Sequence, residues 1–253
     1  MNNLDLFAGI GGFSLGMEKA GFKTAAFCEI EPYCKKVISQ RWPEVPIYDD
    51  IRELSASRLV ADGIRIDTIT GGFPCQDVSA AGSMWGKRQG TDGERSGLWA
   101  EFARLIGEIK PKYAIVENVP AILTGDSGRW FGRILSDLAA LRYDAEWHSI
   151  PASALGACHH RERLWIIAYP NKQGLEGGSE ARDVREEGTQ RRYQFFAGCN
   201  RIQRTEWTVE PPVCRVVNGL PKRSHRLKGL GNAIVPQIAE IIGEEIMAKH
   251  NYV

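Results

Sequence analysis

The sequence predicts an α/β protein, a mostly parallel sheet with helices on both faces. Three observations lead there. Short apolar runs alternate with amphipathic stretches over the first 170 residues. Two of the apolar runs end in glycine turns, at Gly9-Ile10-Gly11-Gly12 and at Gly71-Gly72. The last two apolar runs before Pro170 have no helical pattern between them, which predicts an antiparallel edge.

Each element follows from its own pattern. Asn3–Ala8 reads as a strand, and the glycine turn after it leads to a helix near Phe13–Ala20. Thr24–Glu29 is a second strand. Pro32 suits the first turn of a helix running to about Gln40. Asp67–Gly71 is the next clear strand. Ser96–Ile109 is expected to be helical, with Leu98, Phe102, Leu105 and Ile109 on one face. Tyr113–Asn118 reads as strand, Arg129–Leu141 as helix, and Tyr143–Ile150 and Leu164–Tyr169 as strands. Beyond Pro170 the composition turns to Gly, Arg, Glu and Gln without periodicity, and a helical pattern returns over Ile234–Lys249.

Composition narrows the class. The 253 residues are 43% apolar and 25% charged, the profile of an ordinary globular chain. No run of about 18 apolar residues is present, so no spanning helix is expected. Met1–Asp5 lacks the features of a secretory signal, and a cytoplasmic location is expected. The six cysteines include no CxxC pair and read as reduced thiols. Charge is uneven. Residues 172–228 hold 12 Lys/Arg against 7 Asp/Glu, a net of +5, while the rest of the chain carries a net of −4. A basic segment on an acidic body fits an anionic partner as well as it fits a solvated loop.

Four stretches carry chemistry. In Asp5-Leu6-Phe7-Ala8-Gly9-Ile10-Gly11-Gly12-Phe13 a strand ends in glycines, where backbone can approach a ligand. The spacing is neither G-x-G-x-x-G nor a phosphate loop. Glu29 ends the next strand about 20 residues on, where an acid can hold ribose hydroxyls. Gly71-Gly72-Phe73-Pro74-Cys75-Gln76 holds a cysteine on a loop whose backbone Pro74 restricts. A lone cysteine is ordinarily structural, but glycines and a proline after a strand fit a nucleophile at a sheet edge. Glu117-Asn118-Val119-Pro120 ends another strand, where a carboxyl can serve as an acid. His159-His160-Arg161-Glu162-Arg163 precedes a strand; with Cys158 its spacing is poor for zinc, and no metal is expected.

Together these stretches resemble the cytosine-5 DNA methyltransferase family. Asp5–Gly16 is similar to its S-adenosyl-L-methionine loop, Pro74-Cys75-Gln76 to its nucleophile motif, and Glu117-Asn118-Val119 to its acid motif. Arg161-x-Arg163 is similar to its basic motif and Gly231-Asn232-Ala233-Ile234-Val235-Pro236 to its final cofactor motif. Asp50-Ile51 fits a short motif after the family's third strand. The pattern departs from the family's in three places: His159 stands for a Gln, Val78 for an aromatic residue, and the segment before Asn232 is short.

The resemblance implies a Rossmann-like class I methyltransferase fold, with a mixed seven-stranded sheet and helices on both faces. Residues 1–170 and 229–253 would form the catalytic domain, and 171–228 a small irregular target-recognition region with a brief or degenerate site. It implies an enzyme that transfers a methyl group from S-adenosyl-L-methionine to C5 of a flipped-out cytosine in duplex DNA. Cys75 would attack C6, Glu117 would assist at N3 in its protonated form, Asn118 would hold the geometry, and Arg161 and Arg163 would anchor the base and stabilise the thiolate. Phe7, Gly9, Ile10, Gly11, Gly12, Glu29, Asp50, Ile51, Pro74, Leu98, Asn232 and Ile234 would hold the cofactor. Ser79, Arg191, Arg192, Arg201 and Arg204 would contact DNA, and the chain is expected to act as a monomer. Three rivals stay open: the same chemistry on tRNA, a silent binding module, and a nicotinamide-dependent Rossmann enzyme.

Overall fold

The computed structural model describes residues 1–74, 97–171, 229 and 231–251. Its elements run β1 (Asn2–Leu6), α1 (Gly12–Lys19), β2 (Lys23–Cys28), α2 (Pro32–Arg41), β3 (Ile47–Tyr48), α3 (Ala56–Ala61), β4 (Thr68–Gly71), α4 (Gly97–Ile109), β5 (Tyr113–Asn118), α5 (Arg129–Ala140), β6 (Tyr143–Pro151), β7 (Glu162–Pro170) and α6 (Pro236–Asn251). Short 3-10 turns cover Pro120–Leu123, Gly125–Gly128 and Ala152–Leu155.

The described residues form one seven-stranded sheet in the order β3-β2-β1-β4-β5-β7-β6. Strands β1 to β5 pair in parallel, while β7 runs antiparallel to both β5 and β6. The sequence supports both halves of this mixed sheet. The parallel strands are separated by helices or long connections, whereas β6 and β7 are joined by a 3-10 turn and a short loop that leave no room for a crossover.

Alternation along the strands buries apolar side chains on both faces of the sheet. On one face Ala114 and Val116 of β5, with Leu164, Ile166 and Ala168 of β7, pack against Trp99, Phe102, Leu105 and Ile106 of α4 and Ile134 and Leu138 of α5. On the other face Ile115, Trp165 and Ile167 pack against Phe13 and Met17 of α1 and Ile238, Ala239, Ile242 and Ile246 of α6. The centre of the sheet is not wholly apolar. Asn3 Nδ2 donates to Thr70 Oγ1 at 2.9 Å, and Ser14 Oγ donates to Asp5 Oδ2 at 2.8 Å. Thr70 Oγ1 also donates to Asp5 Oδ1, at 3.4 Å, and burial drives the Asp5 carboxyl up to about 7 despite these donors from Ser14 and Thr70.

Helices α1 and α6 approach closely because glycines line the seam. A Cβ on Gly16 would lie 2.2 Å from the Pro236 carbonyl oxygen, and one on Gly243 would lie 2.7 Å from Ala20 Cβ. This seam holds the last helix against the first, as the resemblance requires for Asn232 to reach the cofactor.

Periodicity shows neither strand β3 nor helix α3, although the resemblance implies a third strand before Asp50. The first is two residues long and the second six, too short for periodicity to register; Ser55 caps α3 by accepting from Arg58 N at 3.2 Å. The buried face of α4 is Trp99, Phe102, Ala103, Leu105 and Ile106, with Leu98 and Ile109 only partly buried at its margin. Trp99 shifts the face inward because its Nε1 donates to Asp137 Oδ2 on α5 at 2.8 Å.

Candidate active site

The parallel half of the sheet places five chain segments in a row. Tyr48, Cys28, Leu6, Gly71 and Val116 are matched partners across β3, β2, β1, β4 and β5. The next residue in each strand is therefore at the same edge: Asp49, Glu29, Phe7, Gly72 and Glu117. All five line one cavity of about 430 Å³. Ligands of open α/β sheets bind at this carboxyl edge, and the volume lies within the ~300–1,000 Å³ of small-molecule sites.

At the β1 end the chain turns back sharply. Phe7 and Gly9 have φ of 52° and 56°, the left-handed region, and Phe7 adopts it without being glycine. This turn aims the Gly9 N–H at Glu29, whose Oε2 accepts it at 2.6 Å while Oε1 accepts from Glu31 N at 2.7 Å. Burial raises the Glu29 carboxyl above its ordinary range, against the pull of these backbone donors. Farther along, Asp50 Oδ1 accepts from Arg52 N at 2.9 Å, and the buried Ile51 adds an apolar surface.

At the β5 end the pairing register explains the acid–base pair. Glu117 is opposite Trp165, so Arg163, two residues away on β7, is its diagonal neighbour on the same face. Arg163 Nε lies 3.1 Å from Glu117 Oε1. Glu117 Oε2 packs over Gly72, where a Cβ would come within 2.8 Å. Burial drives the Glu117 carboxyl up to about 7, and the Arg163 and Arg161 cations only partly offset it. Asn118 is committed locally. Its Nδ2 donates to the Phe73 carbonyl at 3.2 Å, and its Oδ1 accepts from Val119 N at 2.8 Å. It thereby ties the end of β5 to the loop that leads into Cys75.

Of the residues expected at the site, Phe7, Gly9, Glu29, Asp50, Ile51, Pro74, Leu98, Glu117, Asn118, Arg161, Arg163 and Asn232 line this cavity. Ile10, Gly11, Gly12 and Ile234 are not in its wall. Gly11 (φ 85°) sits against the Trp42 ring, where a Cβ would lie 2.5 Å from the ring edge. Gly12 sits against Ile234, where a Cβ would lie 2.8 Å from that residue's carbonyl oxygen. These glycines permit packing behind the turn. Cys75, Ser79, Arg191, Arg192, Arg201 and Arg204 lie outside the described residues, as does 172–228.

The cavity also has walls that sequence reasoning missed, among them Asp49, Ile30, Tyr33 and Arg52. Ile30 carried a signal in its position, an aliphatic residue directly after a strand-ending acid; it is 65% exposed at the cavity rim. Cys28 lines the same cavity but is buried, and its thiol is pushed up to about 12 by burial and by the neighbouring carboxylates of Glu29 and Asp50. Among the described residues no cluster of His, Cys, Asp and Glu could hold a metal ion, and no helix is long and apolar enough to cross a membrane.

The Glu29 and Asp50 carboxylates and the apolar surfaces of Phe7 and Ile51 line one cavity and could hold a small molecule with polar groups and a flat ring. Residues 1–205 match the family model for the C-5 cytosine-specific DNA methylase. The chain is 35% identical over 172 residues to Type II methyltransferase M2.BsuMI of Bacillus subtilis (strain 168), covering 66% of this chain and 42% of that protein. The chain thus spans less than half the length of that relative. A candidate DNA modification methyltransferase encoded within an Escherichia coli prophage superposes with a TM-score of 0.58 at 28% identity, over 70% of this chain and 49% of that one. The Entamoeba histolytica methyltransferase EhMeth shares the fold over 99% of this chain and 98% of its own, with a TM-score of 0.65 at 13% identity. On the extent of the family match, the chain belongs to the C-5 cytosine-specific DNA methylases.

Proposed function

We propose that this chain methylates C5 of cytosine in duplex DNA, with S-adenosyl-L-methionine as the methyl donor. The observation that carries the reading is the buried Glu117 carboxyl, paired with Arg163 and opening into the same cavity as Glu29 and Asp50. The two ends of one cavity then serve the two reactants.

On the cofactor side, Glu29 would hold the ribose, Asp50 the adenine amino group, and Phe7, Ile51 and Leu98 the apolar surfaces, with Asn232 closing the far wall. S-adenosyl-L-methionine, when bound, supplies an electrophilic methyl group for C5. On the base side, Cys75 acts as nucleophile on a cytosine taken out of the duplex stack. Its thiolate forms a bond to C6; the C5–C6 π pair shifts to C4–C5 and the C4–N3 π pair moves onto N3. Glu117 passes its proton to N3, so the ring becomes a neutral enamine and Glu117 a carboxylate. Arg163 stabilises that carboxylate at the moment it forms. After methylation, loss of the C5 proton to solvent restores the double bond and expels the thiolate, and N3 returns its proton to Glu117.

Residues 1–170 and 229–253 form the catalytic domain in this reading, and 171–228 the target-recognition region. Arg191, Arg192, Arg201 and Arg204, with Ser79, would contact DNA, chiefly its phosphates, so binding weakens as salt rises. The test is transfer of a labelled methyl group to duplex DNA and, in parallel, to tRNA, followed by nucleoside analysis. The expected result is 5-methylcytosine in DNA, lost in Cys75→Ser. Label in tRNA alone overturns the substrate assignment, and full activity in Cys75→Ser overturns the nucleophile. Bisulfite sequencing of DNA from expressing cells then reads the recognised site.

A further inference from the structure

Arg161 and Arg163 are two residues apart in one motif, yet their guanidinium groups have different partners. Arg163 faces Glu117. Arg161 reaches across to the segment before α6, where Nη1 donates to the Gly231 carbonyl at 2.6 Å and Nη2 donates to the Ala233 carbonyl at 2.7 Å. These carbonyls flank Asn232, which lines the cavity wall. The fastening bridges parts of the chain 70 and 72 residues apart.

We infer that Arg161 is a positioning residue for the cofactor: its two-pronged grip on the Gly231 and Ala233 carbonyls sets the Asn232 wall of the cavity, while Arg163 makes the direct contact with Glu117. This rests on the cavity being the S-adenosyl-L-methionine site. The physical case is geometric. Backbone carbonyls on either side of one residue are best held by a planar fork of N–H donors, and a charged donor makes each bond stronger than a neutral one would. Ile234 fixes the next position by packing against Gly12, so the segment is pinned at two successive points, one polar and one steric. An ammonium is a point charge on a flexible stem and cannot reproduce the fork.

The discriminating variant is therefore Arg161→Lys, which keeps the positive charge near Glu117 and loses the fork. Calorimetric titration of S-adenosyl-L-methionine into the full chain is expected to show binding weakened about tenfold. Turnover at saturating cofactor is expected to fall less than cofactor affinity does, a larger effect on KM than on kcat. The midpoint of the pH–rate profile should not move. Amides 231–235 should exchange hydrogen faster than in the wild type, a readout that needs no cofactor. Asn232→Ala should weaken cofactor binding similarly, and the double variant should lose less than the two effects combined.

Unchanged cofactor affinity in Arg161→Lys, with slower turnover or weaker DNA binding instead, overturns the inference and returns Arg161 to the base side. Unchanged exchange at 231–235 overturns the clasp itself. A wild-type chain that binds no S-adenosyl-L-methionine overturns the cofactor reading beneath it, and the exchange experiment still judges the clasp separately.

Discussion

Arg163 Nε lies 3.1 Å from Glu117 Oε1, with the carboxylate side chain only 11% exposed and the guanidinium 23%. The pair could have locked Glu117 in its charged form. Burial is the larger influence, however, and leaves the carboxyl titrating at about 7. Near neutral pH the group therefore exists in both forms, which suits a residue that must give up a proton and recover it.

The first prediction concerns that titration. Methyl transfer needs Glu117 protonated, so the single-turnover rate should fall as pH rises through about 7. Removing a cation that favours the carboxylate raises its pKa, so Arg163→Ala should move the falling limb to higher pH while lowering the maximum rate. Glu117→Ala should cost about 10²- to 10⁴-fold. A pH–rate profile of the three proteins checks both directions.

Asp5 gives a stability prediction. Its carboxyl titrates at about 7 in the folded chain, above its ordinary value of 3.8, so folding favours the protonated form. That contribution is complete below pH ~4 and is lost as pH rises through about 7. Asp5→Asn mimics the neutral form. Its melting temperature should be less dependent on pH between 4 and 8 than the wild type's, as read by thermal melts across that range.

The α1–α6 seam should not tolerate side chains. A Cβ at Gly16 meets the Pro236 carbonyl at 2.2 Å, a clash with backbone that no rotamer relieves. Gly16→Ala should destabilise the chain by about 1–3 kcal/mol. Because the displaced helix carries the Asn232 segment with it, cofactor affinity should fall as well. Chemical denaturation and cofactor titration test the two effects.

Cysteine reactivity should divide by environment. Cys28 lines the cavity, but its thiol is pushed up to about 12, so almost no thiolate exists at pH 8. Cys158 is exposed. Alkylation of the native chain at pH 8, read by peptide mass spectrometry, should label Cys158 and spare Cys28. Rapid labelling of Cys28 would contradict the burial argument.

Much of this is legible in the sequence. Strand β5 agrees with its sequence reading at both ends, Tyr113 to Asn118, because a central strand buried on both faces writes a continuous apolar run. The antiparallel β6–β7 edge followed from a missing helix. Glu29 and Glu117 were readable as site residues because each ends a strand, and strand ends of a parallel sheet share an edge. By contrast, nothing local distinguished Gly9, in the cavity wall, from Gly11 and Gly12, which serve the packing behind it. The same holds for Arg161 and Arg163, identical residues in one motif whose partners are set by strand register and by a segment 70 residues away.

The order of strands and helices, the carboxyl edge as the place for chemistry, and the residue types gathered there were determined by the sequence itself, since periodicity and turn chemistry are local. Tertiary structure decided which side chains meet. The pairing register put Arg163 beside Glu117, the glycine seam brought α6 to α1, and burial moved the Glu117 and Asp5 carboxyls to about 7. Each of these depends on distances between residues far apart in the chain, and such distances exist only once the sheet has formed.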